Sequence, residues 1–362
     1  MAGLLGNLNM ADTDRPFTIV EGQEVVYRET ELIFARWTED MQAALELFVQ
    51  EVTETFKERY KLPGSGYSQE EDTGGGAAPS AAIKASGYWE TAYPLRQFGD
   101  TLSFDDIVLG YMTVKEFENH LQTVINRNNN LVFGLILKSL LNNASYAFQD
   151  TIHGSLTIQP LANQDGTTYP PVFGAVADAQ AQNYLAPNYT EAQISDTNDP
   201  YALIRNTLEP HFGFPQGGSP IIALVNTSAV PASRLLTDFD QFTNRYILPG
   251  GNVSTLIDLP EAFQGGRIVG VCDGVVIIEW PRIPSGWILG MHLDAPRPLK
   301  QRKDPVSTGI PTGLQMVTKD MTHPWMNNRW RNRIGFGVGN RLNGVAVALN
   351  GTSSYSVPTI YQ

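Results

Sequence analysis

The stretch Thr113–Ser145, TVKEFENHLQTVINRNNNLVFGLILKSLLNNAS, constrains this chain more than any other. Phe117, Leu121, Val124, Ile125, Val132, Leu135, Ile136 and Leu140 recur at three- and four-residue steps, the period of a helix with one buried side. Thr113 followed by Glu116 is a capping-box pattern, in which each side chain satisfies the other residue's backbone N–H. Asn142 and Asn143 are stop signals. At about 1.5 Å per residue the helix is on the order of 45 Å long. The rest of the chain must therefore pack along an unusually long rod. Asn128, Asn129, Asn130 and Gly134 are poor helix formers in its middle, so a bend or local irregularity is expected there.

Residues 1–29 lack periodicity and read as an extended arm. Residues 30–60 read as a second, amphipathic helix. Ile33, Trp37, Met41, Leu45, Phe48, Val52 and Phe56 line one side; Glu31, Glu39, Asp40, Glu46, Glu51, Glu54 and Glu58 line the other. Residues 61–108 then join KLPGSGYSQEEDTGGGAAPSAAIKASG, rich in Gly, Ser, Ala and Pro, to the strand-like YWETAYPLRQFGDTLSFDD. Pro94 confines that strand to an edge or an irregular pairing. The pattern is a long two-stranded excursion with a glycine-rich tip. An isolated ribbon is marginal in water, and so long a loop within one domain needs a function. A ribbon lying on a neighbouring subunit answers both points; a flexible linker between two domains is the alternative.

Beyond the long helix, ASYAFQDTIHG reads as a turn, and SLTIQPLA and the YPPV region as short strands. DPYALIRNTLEPHFG is a short helix capped by Asp199, with Pro200 at its first position. PIIALVN is a buried strand, after which Ser228 caps a helix through ASRLLTDF. LPGG at 248–251 is a loop tip. RIVGVCDGVVIIE is a hairpin, because Asp273-Gly274 suits a turn with two positive φ angles. WILGMHL is a strand, and the prolines around the basic run Lys300–Lys303 mark a loop. RIGFGVGNRLNGVAVALN closes the chain with a strand, its glycines on one face where another backbone comes close.

The chain carries 25 Lys and Arg against 37 Asp and Glu, a formal charge of −12, which disfavours nonspecific DNA binding. Charged residues make up only 17%, while Gly (33) and Pro (23) are plentiful. Long ordered loops and a surface covered by other copies fit that composition. No apolar run approaches the roughly 18 residues of a membrane span. The start, MAGLLGNLNMADTDRP, lacks the features of a secretory signal. Cys272 stands alone, so no intrachain disulfide is possible, and it reads as a small core residue. His120, His153, His211, His292 and His323 show no ligand spacing, and neither a G-x-S-x-G elbow nor a phosphate-binding loop occurs. Gly335, Gly337 and Gly339 miss the dinucleotide pattern, whose third glycine falls at Asn340. No cofactor, metal or catalytic residue is expected.

Taken in order, the segments resemble the tailed-bacteriophage major capsid proteins of the Hong Kong 97-type fold. The resemblance covers nearly the whole chain. Its most specific parts are PIIALVNTSAVPASRL, GGRIVGVCDGVVIIEWPRIPSGWILG and PWMNNRWRNRIGFGVGNRLNGVAVAL. It implies an α+β fold. Residues 1–60 would be the N-terminal arm and helix, 61–108 the E-loop, and 109–200 the peripheral domain with its spine helix. Residues 201–317 would be the axial domain, and 318–362 the return to the peripheral domain. The implied role is self-assembly into pentamers and hexamers of an icosahedral head around double-stranded DNA, contacted without sequence specificity.

The implied partners are further copies and a portal protein, with a separate scaffold protein or none and with or without a decoration protein, and no membrane. The implied location is the virion, and the host cytoplasm during assembly. Subunit-interface candidates are Lys84, Tyr88, Trp89 and Arg96 on the excursion, Pro249, Gly250 and Gly251 at the axial loop, and Arg329, Arg331 and Arg333 as salt-bridge partners. Some relatives crosslink an E-loop lysine to an asparagine, for which Lys84 with Asn340 or Asn350 are the counterparts. Two other readings remain open: an encapsulin-like compartment around a cargo enzyme, and a soluble enzyme with a scattered site.

Overall fold

The computed structural model describes residues 23–62, 87–105, 111–175, 177–214, 221–241, 266–320 and 325–361. The first helix, α1, is Gln23–Leu45. Strands β1 (Val49–Thr53), β2 (Lys57–Leu62), β3 (Gly87–Ala92) and β4 (Arg96–Asp105) follow. The long helix α2 is Val114–Leu141. Then come β5 (Tyr146–Asp150), β6 (Gly154–Ile158), β7 (Tyr184–Leu185), α3 (Pro200–Phe212), β8 (Ile221–Val225), α4 (Val230–Ser233) and β9 (Phe239–Gln241). The last elements are β10 (Arg267–Cys272), β11 (Val275–Glu279), β12 (Trp287–His292), β13 (Leu299–Arg302), β14 (Gly313–Asp320), β15 (Trp325–Val338) and β16 (Val345–Ala348).

Helix α2 starts as its capping box requires. Glu116 N–H donates to Thr113 Oγ1 at 3.3 Å, and Thr113 N–H donates to Glu116 Oε2 at 2.8 Å. Asn142 caps the other end. The expected irregularity at the asparagine run is absent, and the helix is continuous from Val114 to Leu141. Tertiary partners outweigh the low propensity there. Asn128 Oδ1 accepts from Asn332 Nδ2 at 2.7 Å, and Asn130 Oδ1 accepts from Arg282 Nη1 at 2.8 Å. Asn129 is buried.

A seven-stranded sheet of order β7-β16-β12-β8-β11-β10-β9 lies at the centre. Its inner strand β8 is buried at every position. Ile222 and Leu224 face a core shared with α1, α2, β13 and β15, whereas Ile221, Ala223 and Val225 face the core under α3 and α4. Helix α3 rests directly on β12, where a Cβ at Gly290 would overlap the Ile204 side chain. The β10–β11 hairpin turns through Asp273 (φ 51°) and Gly274 (φ 78°), as the dipeptide predicts.

The second sheet has the order β1-β13-β15-β14, with β4 on the other side of β15. Strand β15 runs antiparallel to β4 from Trp325 to Ile334 and to β13 from Gly335 to Val338. The switch is made where the chain between β3 and β4 crosses over it. A Cβ at Gly335 would overlap the Pro94 carbonyl oxygen, and one at Gly337 would sit 2.8 Å from the Ala92 carbonyl oxygen. These are the glycines expected to meet another backbone. Pro94 separates β3 from β4 and so marks the end of each.

Several expectations need correction. Residues 30–60 are not one helix, because α1 ends at Leu45 and β1 and β2 follow. Alternation in VQEVT and KERYKL suits strands once β13 and β3 lie beside them. Part of the expected arm, residues 23–29, belongs to α1. The basic run around Lys300 is the buried strand β13, not a loop. ASYAFQDTIHG holds the strand β5, paired with β6, not a turn alone. The YPPV region makes only a single bridge, Tyr169 to Ala179. Ser228 caps no helix: its hydroxyl bonds Asn226 Oδ1 at 2.9 Å, and α4 is one four-residue turn.

The backbone crossing sets one expected outcome. Gly335→Ala should lower unfolding free energy in urea by about 3 kcal/mol or more through overpacking. Gly134→Ala, in open space on α2, should raise it by about 0.5–1 kcal/mol. Equal midpoints for the two variants would remove the crossing as a constraint.

Candidate assembly surfaces

The ladder β2–β3 is the root of the ribbon, and it has two faces. Alternation places Glu58, Tyr60, Trp89 and Thr91 toward the body, and Lys57, Arg59, Tyr88 and Glu90 away from it. Trp89 stacks on Tyr60, with ring centroids 5.1 Å apart, and tilts against Tyr169 at 5.3 Å. On the outer face Glu90 receives both Lys57 and Arg59, and the Arg59 guanidinium lies 4.1 Å from the Tyr88 ring centre.

Strand β13 anchors this root. Lys300 Nζ lies 2.5 Å from Glu51 Oε1 and 2.8 Å from Glu58 Oε2. Tyr60 and Tyr93 hydroxyls also donate to Glu58, at 2.6 and 3.0 Å. Burial alone would raise the Glu58 pKa, but hydrogen bonds from Lys300, Tyr60 and Tyr93 outweigh it and hold the carboxyl below its ordinary value. Burial alone would lower that of Lys300, but Glu51 and Glu58 hold it above the ordinary lysine range.

Two residues along the strand, Arg302 Nη1 donates to Asp150 Oδ2 at 2.7 Å and to the Tyr93 carbonyl at 2.9 Å. Both side chains of this ion pair are buried. Asp150 Oδ1 accepts the N–H of Ile152 and His153, which shapes the β5–β6 turn. Burial opposes ionisation of Asp150, yet those two N–H groups and Arg302 keep its pKa low. The His153 ring stacks 3.8 Å from that of Phe56. The cations of one short strand therefore fasten β1, the ribbon and the β5–β6 hairpin together.

The sequence-derived candidates fall in separate places. Tyr88 is 56% exposed, and Trp89 is half-buried on the inner face. Arg96 covers the Phe148 ring at 5.4 Å. It opens the β4–β15 ladder that also carries Arg329, Arg331 and Arg333. Arg333 Nε bonds the buried Asp304 carboxylate at 2.7 Å, so it is already neutralised within its own chain. Lys84, Pro249, Gly250 and Gly251 lie outside the described residues. Asn340 and Asn350 both use their amides inside the chain, on the Pro296 carbonyl and on Ser354 and Ser356.

The reading from sequence missed Lys300, Arg302, Asp150 and Asp304. The signal available was a basic residue at every second position of LKQR.

The remaining reactive side chains are structural. Burial pushes the Cys272 thiol up to about 12. Asp294 N–H donates to His292 Nδ1, leaving Nε2–H to donate to the Gly213 carbonyl. Among the described residues no cluster of His, Cys, Asp and Glu could hold a metal ion, and no helix is long and apolar enough to cross a membrane. A cleft of about 470 Å³ between α2 and the β4–β15–β14 sheet is floored by Phe98, Val124, Leu131 and Leu314, with Arg127 and Asp100 paired at 2.9 Å beside it.

No family model matches the chain, and no curated protein matches it. Solved structures do. A chain of Mycobacterium phage Patience superposes with a TM-score of 0.68 at 19% identity, over 93% of this chain and 91% of that one. A chain from the asymmetric unit of the bacteriophage PhiM1 mature capsid gives 0.52 at 13% identity, over 85% and 87%. This is the fold of a phage capsid protein. The α+β, Hong Kong 97-type fold that the sequence resemblance implied is the fold found. The holo-SrpI encapsulin complex from Synechococcus elongatus PCC 7942 gives a TM-score of 0.44 at 11% identity.

The buried charges carry two expectations. Arg302→Met leaves Asp150 without its cation and should cost about 3–5 kcal/mol in chemical denaturation. With Asp150→Asn added, the total should fall short of the two single losses summed. The stability from Glu58 is fully present above the unfolded carboxyl pKa of about 4 and is lost as pH falls through its lower folded value. That from Lys300 is present below the unfolded lysine pKa of about 10 and is lost as pH rises through its higher folded value. Glu58→Gln should therefore flatten the acid limb of a midpoint-against-pH curve; an unchanged acid limb would show that Glu58 is not held as described.

Proposed function

We propose that this chain is the major capsid protein of a tailed bacteriophage, assembling into the hexamers and pentamers of an icosahedral head that encloses double-stranded DNA. The observation that carries the reading is the superposition on Mycobacterium phage Patience over 93% of the chain. That likeness accounts for the arm, ribbon, long helix and closing strands together. Residues 1–60 are the N-terminal arm and helix, 61–108 the E-loop, 109–200 with 318–362 the peripheral domain, and 201–317 the axial domain. Lys84, Tyr88, Trp89 and Arg96 on the E-loop side, Pro249, Gly250 and Gly251 near the axis, and Arg329, Arg331 and Arg333 are the subunit-contact residues of this reading.

The role is structural. The protein acts in the virion and assembles in the host cytoplasm with a portal protein and separate scaffold and decoration proteins. DNA is held without sequence-specific contacts. Many modest contacts per copy make a closed shell far more stable than any one interface.

Negative-stain electron microscopy of the purified full-length chain tests this directly. Uniform round shells or tubes of hexamers are expected. Shells free of DNA that copurify with an enzyme would transfer the reading to a cargo compartment. Small discrete oligomers alone, with or without a scaffold protein, would overturn it.

A further inference from the structure

The sheet formed by β4, β15 and β14 has one covered face and one bare face. Trp330, Asn332 and Ile334 point inward, and all three are buried. The Trp330 ring meets Phe34 of α1 edge to face at 6.3 Å, and Asn332 bonds Asn128 of α2. Alternation sends Arg329, Arg331 and Arg333 to the opposite face. Directly across the ladders, Arg329 opposes Thr101, and Arg331 opposes Gly99 and Gln315. Arg329, Gly99 and Thr101 are exposed. Gly99 is required by close approach, since a Cβ there would lie 2.7 Å from the Trp330 carbonyl oxygen. The residue directly across the ladder from Arg331 thus has no side chain, and Arg331 itself is of intermediate exposure.

This bare face is anomalous for its charge. The chain has a formal charge of −12, and several of its other cations meet carboxylates within the chain. Lys57 and Arg59 meet Glu90, Lys300 meets Glu51 and Glu58, Arg302 meets Asp150, Arg333 meets Asp304, and Arg341 meets Asp165. Arg329 and Arg331 have no carboxylate partner among the described residues. The complementary feature lies on α1 and the turn that ends it. Glu39, Asp40 and Glu46 are exposed, and among the described residues none has a side-chain ion pair or hydrogen bond, Arg36 of the same helix included. Glu39 and Glu46 are two helical turns apart and so share one side, about 10 Å along the axis. Arg329 and Arg331 are about 7 Å apart along their strand, within the reach of two long guanidinium side chains.

We propose that Arg329 and Arg331 form a carboxylate-binding strip that docks Glu39 and Asp40 of α1, with Glu46 of the turn after it, of a second copy of this chain. The proposal rests on the shell reading above. Arg333 is outside the strip because Asp304 neutralises it. Two acidic chains repel on approach, and a local basic strip makes one orientation favourable over the rest. The planar guanidinium fork, with paired N–H donors, suits a carboxylate better than an ammonium would. Each copy carries both halves, so the contact is heterologous and propagates through a closed shell.

A charge swap tests it in the full chain, with shells counted by electron microscopy and light scattering. Arg329→Glu with Arg331→Glu should cut shell yield by more than about tenfold, as should Glu39→Lys with Asp40→Lys and Glu46→Lys, because a loss per contact multiplies over the shell. The five substitutions together should restore shells. Thermal midpoints of the unassembled subunits should match wild type, since four of the five positions are exposed and Arg331 has no carboxylate partner among the described residues.

Wild-type shell yield from the arginine variant, or no recovery in the combined variant, overturns the strip and leaves the capsid reading standing. Normal shells of Arg329→Gln with Arg331→Gln that lose DNA would assign the face to nucleic acid and also overturn it. Wild-type protein that never forms shells removes both.

Discussion

Lys300 and Arg302 sit inside this protein, on a strand enclosed by β1 on one side and β15 on the other. An unpaired buried cation would be prohibitive. The strand is tolerable because carboxylates from three distant segments converge on it: Glu51 beside it, Glu58 on the ribbon and Asp150 on the hairpin after the long helix. Each of those segments is weak alone. The ribbon is two strands, the hairpin is two strands, and β1 is five residues at a sheet edge. The buried charges give all three a common anchor, and their unmet cost in any other arrangement selects this one.

That anchor has a mechanical consequence. The β2–β3 ladder is held against the body by Glu58, Tyr60, Tyr93 and the stacked Trp89. The crossing at Gly335 and Gly337 locks the same root from the other side, because no side chain separates the two backbones. In the capsid reading, contacts between copies would form around a root fixed within each subunit. That suits a shell in which many weak contacts must form at once and in register. Among the described residues, the outer faces of the ribbon and of the β4–β15–β14 sheet carry mainly polar and charged groups. Such surfaces favour correct orientation over indiscriminate sticking.

Much of the architecture was legible where local chemistry and tertiary context agree. The capping box at Thr113 and Glu116, the Asp199–Pro200 helix start, the all-apolar PIIALV strand and the Asp273-Gly274 turn all behave as their residues dictate. The spaced glycines of GFGVG announced a close backbone, and one is there. Failures cluster where a distant partner decides. Glu51, Glu54 and Glu58 have helical spacing, yet β13 and β3 draw them into strands. The asparagine run reads as a break in the long helix, but Asn332 and Arg282 engage the side chains of Asn128 and Asn130, which therefore do not compete for the helix backbone. Among the candidate contacts, Arg329, Arg331 and Arg333 looked equivalent; only the position of Asp304 separates the last from the other two.

By itself, the sequence determined the inventory of elements with strong local periodicity, the places where the backbone turns or crosses, and the absence of any recognisable motif for catalysis. Those features depend on residues close together in the chain, whose steric and hydrogen-bonding preferences are local. The tertiary structure alone decided which charges are buried, which are neutralised at home and which are left facing outward. Those outcomes depend on pairs such as Lys300 with Glu58 and Arg302 with Asp150, 242 and 152 residues apart. A Coulombic partner at such a separation leaves no periodic trace in the chain.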